Sequence, residues 1–419
     1  MSLSESSTCI IIGASHGGVT AAFAVRKEGW QGDIVVIDSD PTLPYHRPPL
    51  SKAYLTSDDS NHSLSLKPAA SYEKNNITLL LGKRVDSIKR ENNSVILDNG
   101  EVLHYKKIII ATGARPFIPP IQGIAQAANV FCLRTHDDVE KIRSAFSTSD
   151  KKRVVIIGGG YIGLETAASL KKLGGHVTVL EREPKLLARV TSPEMSAYFQ
   201  QLHTSNGVII NTSKNVQSIE SLGTSNLVHC DDDSNYPADI IIVGVGVRVN
   251  QELAEQAGLA VDIGLIKGVV VNEQCQTNDA NIYAIGDCAY HHNPYYDRWL
   301  RLESVQNAVD QGKVAAASLC DKPACYSAIP WFWSDQFDVK LQMVGLATGY
   351  DNFVIRKEID DENKFSVWYF LQDRLLAVDA INHAKAYVLG TKCLKVNANI
   401  NKEVLADNTV ELSSDIMLT

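Results

Sequence analysis

Gly158, Gly160 and Gly163 stand in the spacing G-x-G-x-x-G, and an acid, Glu181, follows one helix and one strand later. Glycines at those intervals allow a tight turn at Gly158, close approach of backbone to an anion at Gly160, and close helix packing at Gly163. The anion this suits is the pyrophosphate of a dinucleotide, because a helix starting beyond the loop offers unpaired N–H groups and the positive end of its dipole. Glu181 would accept from both hydroxyls of an adenosine ribose and repel a 2′-phosphate, so NADH is favoured over NADPH. Arg182 next to it weakens that preference without reversing it. Near the N-terminus Gly13, Ser15 and Gly18 repeat the pattern ahead of Asp38-Ser39-Asp40, with a serine small enough for the same close approach. Two such constellations imply two dinucleotides: a tightly held flavin, and a nicotinamide that comes and goes.

Each constellation needs a strand before it, a helix after it and a second strand ending in the acid. The runs Val154 to Ile157 and Val177 to Leu180 bracket an Ala/Leu-rich helix, and the apolar run from Cys9 and the run Ile34 to Ile37 bracket another. IIIATG at 108–113 reads as a buried strand running into a turn whose glycine lets the chain pass a flavin; Arg115-Pro116 then crosses into the nicotinamide domain. DIIIVGVGV at 239–247 closes that domain with Gly244 and Gly246, and the chain returns to the flavin domain. NIYAIGDC at 281–288 is again strand then turn, with Asp287 placed to accept from a ribityl hydroxyl, and an Ala-rich helix is expected over 303–319. Beyond Tyr326 the composition shifts to Trp, Phe, Tyr and β-branched residues in alternating runs followed by a helical tail, an antiparallel sheet with helix. The fold expected is α/β: two Rossmann-like dinucleotide-binding domains of the glutathione-reductase type plus a C-terminal α+β domain. The flavin domain is discontinuous (1–115 and 249–325), the NAD domain covers 116–248 and the last domain 326–419.

The chain has 419 residues, 45% hydrophobic and 21% charged, ordinary for a globular protein of two to three domains. A net charge of −8 argues against general nucleic-acid binding while allowing a local basic patch. The opening MSLSESSTC lacks a basic stretch and apolar core, and no apolar run is long enough to span a membrane, so a cytoplasmic protein is expected. The eight cysteines form no C-x-x-C, and no Cys/His cluster suggests a metal site. Cys320 and Cys325 come too late, and are split by Pro323, to be a flavin-linked redox pair. The adjacent His291 and His292 read as surface loop residues.

PYHRPPLSK at 44–52, together with ATGARP at 111–116, the second fingerprint, AIGDC at 284–288, DRWLRLESV at 297–305 and PWFWSDQ at 330–336, resembles the FAD-containing, NADH-dependent ferredoxin reductases of Rieske oxygenases and haem-thiolate monooxygenases. The motifs span nearly the whole chain in the family's order. The resemblance implies FAD contacts at His16, Gly17, Ser39, Arg47, Val85, Ala111, Thr112, Gly113 and Gly286 beside those above, with Arg134 toward the adenine and Val305 facing the ring. For NAD it adds Tyr161, Ile162 and Val245. It makes Lys52 and Glu165 a buried ion pair beside the flavin, where a cation favours the reduced form, and Trp333 the electron exit.

Two dinucleotides imply hydride transfer from NADH to the flavin, and no cysteine between Cys9 and Cys132 is available to relay it onward. Electrons must then leave the flavin directly, which suits a one-electron protein carrier; the resemblance implies that this carrier is a small two-iron ferredoxin in an aromatic hydrocarbon catabolic system. Ferredoxins are acidic, so the docking face should be locally basic, with Lys67 and Lys313, and further Arg298 and Arg301, around Trp333. The alternatives are a rubredoxin reductase and an NADH-binding flavoprotein resembling apoptosis-inducing factor. A monomer or weak dimer is expected.

Overall fold

Cys9–Ile12 and Arg153–Ile157 are each the middle strand of a five-stranded parallel sheet. The computed structural model describes residues 7–57, 64–188, 190–359, 361 and 363–418; the first six residues, part of the stretch read for a leader, lie outside these. In the first sheet the order is Ile282–Ala284, Lys107–Ile110, Cys9–Ile12, Ile34–Asp38, Ile77–Leu81. Cys9 lies opposite Ile34 on one side and Lys107 on the other. The second sheet runs Ile209–Asn211, His176–Leu180, Arg153–Ile157, Ile240–Val243, Val130–Phe131. Parallel strands covered on both faces read as continuous apolar runs. IVVI at 34–37 and III at 108–110 are buried throughout, and so is IIIV at 240–243.

By packing the chain divides into two units. One comprises Met1–His46, Ser63–Arg115 and Arg248–Pro330, and holds the first sheet. The other comprises Arg47–His62, Pro116–Val247 and Trp331–Thr419. This grouping is coarser than three domains, and it takes Arg47–His62 out of the N-terminal segment. The physical reason is a set of buried side-chain bonds: Ser51 Oγ and Ser334 Oγ both donate to Glu165, and Ser169 Oγ donates to the Ser51 carbonyl.

The C-terminal sheet is antiparallel, in the order Trp331–Gln336, Val339–Gly345, Arg374–Ile381, Phe365–Leu371, Asn352–Lys357. The helix Ala384–Lys395 packs on it closely enough that a Cβ at Gly390 would press into Val378. Arg356, 1% exposed, donates to the carbonyls of Leu405, Asp407 and Val410 and so fastens the C-terminal segment to the sheet. The helix expected over 303–319 begins at Val305, because Ser304 caps it by accepting from the Asn307 amide. His291 is not a loop residue. It is buried on the strand Ala289–Asn293 against Gln311, and burial pushes its pKa down to about 4.

Candidate dinucleotide-binding sites and a buried ion pair

In the first unit Gly13 takes φ +111°, and a Cβ there would collide with the Ala111 carbonyl. A Cβ at Gly18 would strike the Gly13 carbonyl, so the helix His16–Lys27 enters as close as backbone permits. Gly17 lies on the same helix where the helix Val305–Leu319 crosses it, its position for a Cβ only 3.4 Å from the Ala308 carbonyl. Ser15 holds φ −87° and ψ −165°, against φ −82° and ψ 177° at Gly160. Extended backbone of this kind suits any residue, which is why serine can stand in the fingerprint.

Neither fingerprint helix is capped by a side chain, whereas Thr135 and Ser192 cap the helices His136–Thr148 and Pro193–Ser205. A helix start with no capping side chain at its N-cap is where a pyrophosphate would be held. Around Gly160 no atom lies within 4 Å of a Cβ position, so the loop leaves open space where an anion would approach. Asp38 Oδ2 accepts the Ala14 amide at 2.5 Å and Oδ1 the Asp40 amide at 2.9 Å, which fixes the carboxylate at the strand end. His16 opens the helix with Nε2 3.3 Å from His46 Nδ1. These residues fit FAD.

The remaining residues of the first unit lie in turns and at the starts of a strand and a helix. Ala111 donates to the Ile12 carbonyl at 2.8 Å, and Thr112 and Gly113 are tied to Asn250: Thr112 Oγ1 donates to its carbonyl, and its amide donates to Gly113. Gly286 has φ +73°, and its amide donates to Gln311 Oε1 at 2.7 Å, while Arg301 Nη1 donates to the Asp287 carbonyl at 3.0 Å. Val85 begins the strand Val85–Lys89, and Val305 the helix that Gln311 belongs to. Asn250, Gln311 and Arg301 as holders of these turns were not evident from the sequence, since nothing local marks a residue that braces a turn elsewhere in the chain.

In the second unit Gly158, also at φ +111°, sits against the Gly244 carbonyl, and Gly163 against Gly158. Gly159 donates to Glu181 Oε2 at 2.6 Å, and Glu183 donates to Oε1 at 2.8 Å. The Gly244 amide is paired with Ile157, and Gly246, at φ +114°, lends its carbonyl to the Phe117 amide, with Val245 between them. Tyr161 donates to Met343 Sδ at 3.0 Å and stacks near Phe332, and Ile162 faces outward. Burial and the nearby Asp379 raise the Tyr161 phenol well above its usual pKa.

Glu165 is 1% exposed on the helix Tyr161–Lys172, with Lys52 Nζ 2.7 Å from Oε2 and the lysine side chain 17% exposed. Arg47, Lys52, Arg134 and Trp333, expected at the flavin, all belong to the second unit. Arg47 Nη1 donates to the Arg134 carbonyl, and Trp333 lies 5.6 Å from Trp331 between ring centroids. Of the cations read as a docking patch, Arg301 is corrected. Its guanidinium turns inward to the carbonyls of Ile266 and Asp287 and to Glu303, so it is not presented to a partner. Lys313 pairs with Asp310, Lys67 lies over Phe23, and Arg298 over Tyr296.

The family description "Pyridine nucleotide-disulphide oxidoreductase" matches residues 7–312, and "Reductase C-terminal" matches 331–415. The chain is 41% identical over 412 residues to putidaredoxin reductase of Pseudomonas putida, covering 97% of this chain and 96% of that one. It is 36% identical over 408 residues to the ferredoxin–NAD(+) reductase component of an anthranilate 1,2-dioxygenase system from Burkholderia cepacia, covering 97% and 98%. The putidaredoxin reductase solved as a covalent complex with putidaredoxin superposes with a TM-score of 0.91 at 41% identity, over 97% of each chain. With the doubled fingerprint, the bound acids and the C-terminal sheet in place, the chain belongs to the pyridine nucleotide-disulphide oxidoreductase family, among the ferredoxin reductases related to putidaredoxin reductase.

Proposed function

We propose that this protein passes electrons from NADH through FAD to a small two-iron ferredoxin that feeds a Rieske oxygenase or a haem-thiolate monooxygenase. The observation that supports it most directly is the doubled fingerprint, each copy with its acid hydrogen-bonded to its own glycine loop. FAD is the resident dinucleotide and NADH the visiting one. When bound, FAD accepts a hydride and releases the electrons singly.

The chain's own residues bind and orient. Gly13, Ser15, Gly18 and the start of the helix His16–Lys27 take the FAD pyrophosphate, and Asp38 its ribose. Thr112, Gly113, Gly286 and Asp287 hold the ribityl side from turns braced by Asn250 and Gln311. Gly158, Gly160 and Gly163 take the pyrophosphate of NADH and Glu181 its ribose. Lys52 and Glu165 form the charged pair that tunes the hydride step, and Trp333 lies on the exit. Lys67, Lys313 and Arg298 contribute to the docking face for an acidic carrier.

Purified protein should show the flavin's visible bands, bleach when NADH is added without oxygen, and regain colour on addition of an oxidised two-iron ferredoxin. A colourless protein, or one that NADH leaves unbleached, would remove the proposal. A second reading, transfer to a one-iron rubredoxin, is favoured by a 36% identical relative named rubredoxin-NAD(+) reductase, from Pseudomonas putida. Recovery of colour with rubredoxin but not with any two-iron ferredoxin would select it.

A further inference from the structure

Glu165 accepts side-chain donors on both oxygens. Lys52 Nζ at 2.7 Å and Ser51 Oγ at 2.6 Å reach Oε2, and Ser334 Oγ at 2.6 Å reaches Oε1. Ser334 comes from the C-terminal strand Trp331–Gln336, where alternation puts Phe332, Ser334 and Gln336 on one face. That face meets the nucleotide-binding segment: Phe332 lies 5.3 Å from Tyr161 between ring centroids, and Ser334 meets Glu165.

The Ser334 hydroxyl has one hydrogen, and its oxygen is already engaged by Gln336 Nε2 at 3.1 Å. Gln336 is oriented in turn by His203, whose Nε2 lies 2.8 Å from Oε1. An amide oxygen only accepts, so His203 Nε2 carries the proton and every bond in the series donates toward Glu165. Glu165, Ser334, Gln336 and His203 are each at most 1% exposed, which leaves the polarity of the series undisturbed by solvent. Burial lowers the His203 pKa, in keeping with a neutral ring that has a single donor.

We propose that Ser334, aimed by Gln336 and His203, is a positioning residue for the Lys52–Glu165 pair. By occupying Oε1 it confines the Lys52 ammonium to Oε2 and fixes the direction in which the ammonium points. This deepens the reading of Lys52 and Glu165 given above and rests on it.

The test follows anaerobic bleaching of the holoenzyme by NADH in rapid mixing. Ser334→Ala should lower the limiting rate about 10-fold, as loss of a hydrogen bond to a charged group would, while the half-saturating NADH concentration stays put. Ser334→Thr should restore the rate, and Gln336→Met should act in the same direction as Ser334→Ala. In a Glu165→Gln background Ser334→Ala should add nothing. Thermal unfolding of the apoprotein in the same double-mutant cycle gives a readout free of the flavin, and the two positions should be coupled there too. Wild-type bleaching in Ser334→Ala, or an equal loss in the Glu165→Gln background, overturns the role. Failure of the unsubstituted holoenzyme to bleach with NADH sinks the functional proposal instead, so the two failures are separable.

Discussion

The Gly159 amide donates to Glu181 Oε2 at 2.6 Å, and the Ala14 amide to Asp38 Oδ2 at 2.5 Å, so each strand-end acid grips the glycine loop of its own fingerprint. The acid read as a ribose acceptor therefore also braces the loop. Glu181→Gln keeps an acceptor for the Gly159 amide but loses the charge that repels a 2′-phosphate. Glu181→Ala loses both. The preference for NADH over NADPH, measured as a ratio of kcat/KM, should drop about 10-fold or more in both variants. Only Glu181→Ala should also raise KM for NADH by a similar factor. An unchanged cofactor ratio in both would show that the acid serves the loop alone.

Gly13 and Gly158 share φ +111° and press against the carbonyls of Ala111 and Gly244. A side chain there is strained twice, by backbone conformation and by collision with backbone that cannot turn aside. Gly13→Ala should yield protein depleted of bound flavin, seen as a lowered ratio of visible to ultraviolet absorbance. Gly158→Ala should keep its colour yet bleach only at NADH concentrations about 10-fold higher or more. Full colour in the first variant, or normal NADH dependence in the second, would contradict these assignments.

Much of this was legible in the sequence because local rules and the fold agree. The runs at 9–12 and 153–157 are almost wholly apolar and flow into glycines that only a tight turn explains, the runs at 34–38 and 176–180 end in Asp38 and just before Glu181, and together they form the middle strand and one neighbour of it in each parallel sheet. Less legible was whatever depends on contacts distant in sequence. Ser334 lies 169 residues from Glu165, and Gln311 lies 25 from Gly286, so no spacing rule brings them together. His291 misled because its strand, Ala289–Asn293, is too short and too polar to show alternation, although tertiary packing buries it. Arg301 misled because charge alone does not reveal that nearby carbonyls have taken up its donors.

Lys52 and Glu165 form a pair with one member 1% exposed, so removing the lysine leaves a buried carboxylate with its hydroxyl donors but no cation. Lys52→Met should slow NADH-driven bleaching about 10-fold or more and lower the melting temperature. Pairing it with Glu165→Leu should recover part of the stability without recovering the rate, since the apolar pair removes the stranded charge but not the need for the cation. Bleaching by Lys52→Met at the unsubstituted rate would leave the pair a purely structural one.

A carrier attracted by Lys67, Lys313 and Arg298 should feel ionic strength, because exposed charges are screened over a Debye length of roughly 8 Å at physiological salt. Reduction of a two-iron ferredoxin should fall steeply between low and moderate salt, and reduction of ferricyanide should stay nearly level. Lys313→Glu should flatten the salt dependence and slow ferredoxin reduction at low salt. Parallel salt curves for the two acceptors would rule out a basic docking face.

Asp379 sits fully buried on the strand Arg374–Ile381, where Tyr369 donates to it at 2.7 Å and Thr191 at 3.1 Å. Burial outweighs these hydroxyl donors and raises its pKa from 3.8 to about 6. The unfolded chain therefore releases this proton at lower pH than the folded one, and between those two values the native state holds more proton than the unfolded state. Stability contributed by Asp379 is present below its unfolded pKa, declines as pH rises through that window and is level above it. Asp379→Asn cannot ionise, so its stability relative to the unsubstituted protein should improve between pH 4 and 7 by on the order of 2–3 kcal/mol. Chemical denaturation at both pH values measures the change, and every other titrating group cancels in the difference. Curves that stay parallel from acid to neutral pH would mean that Asp379 keeps an ordinary carboxyl pKa in the folded protein.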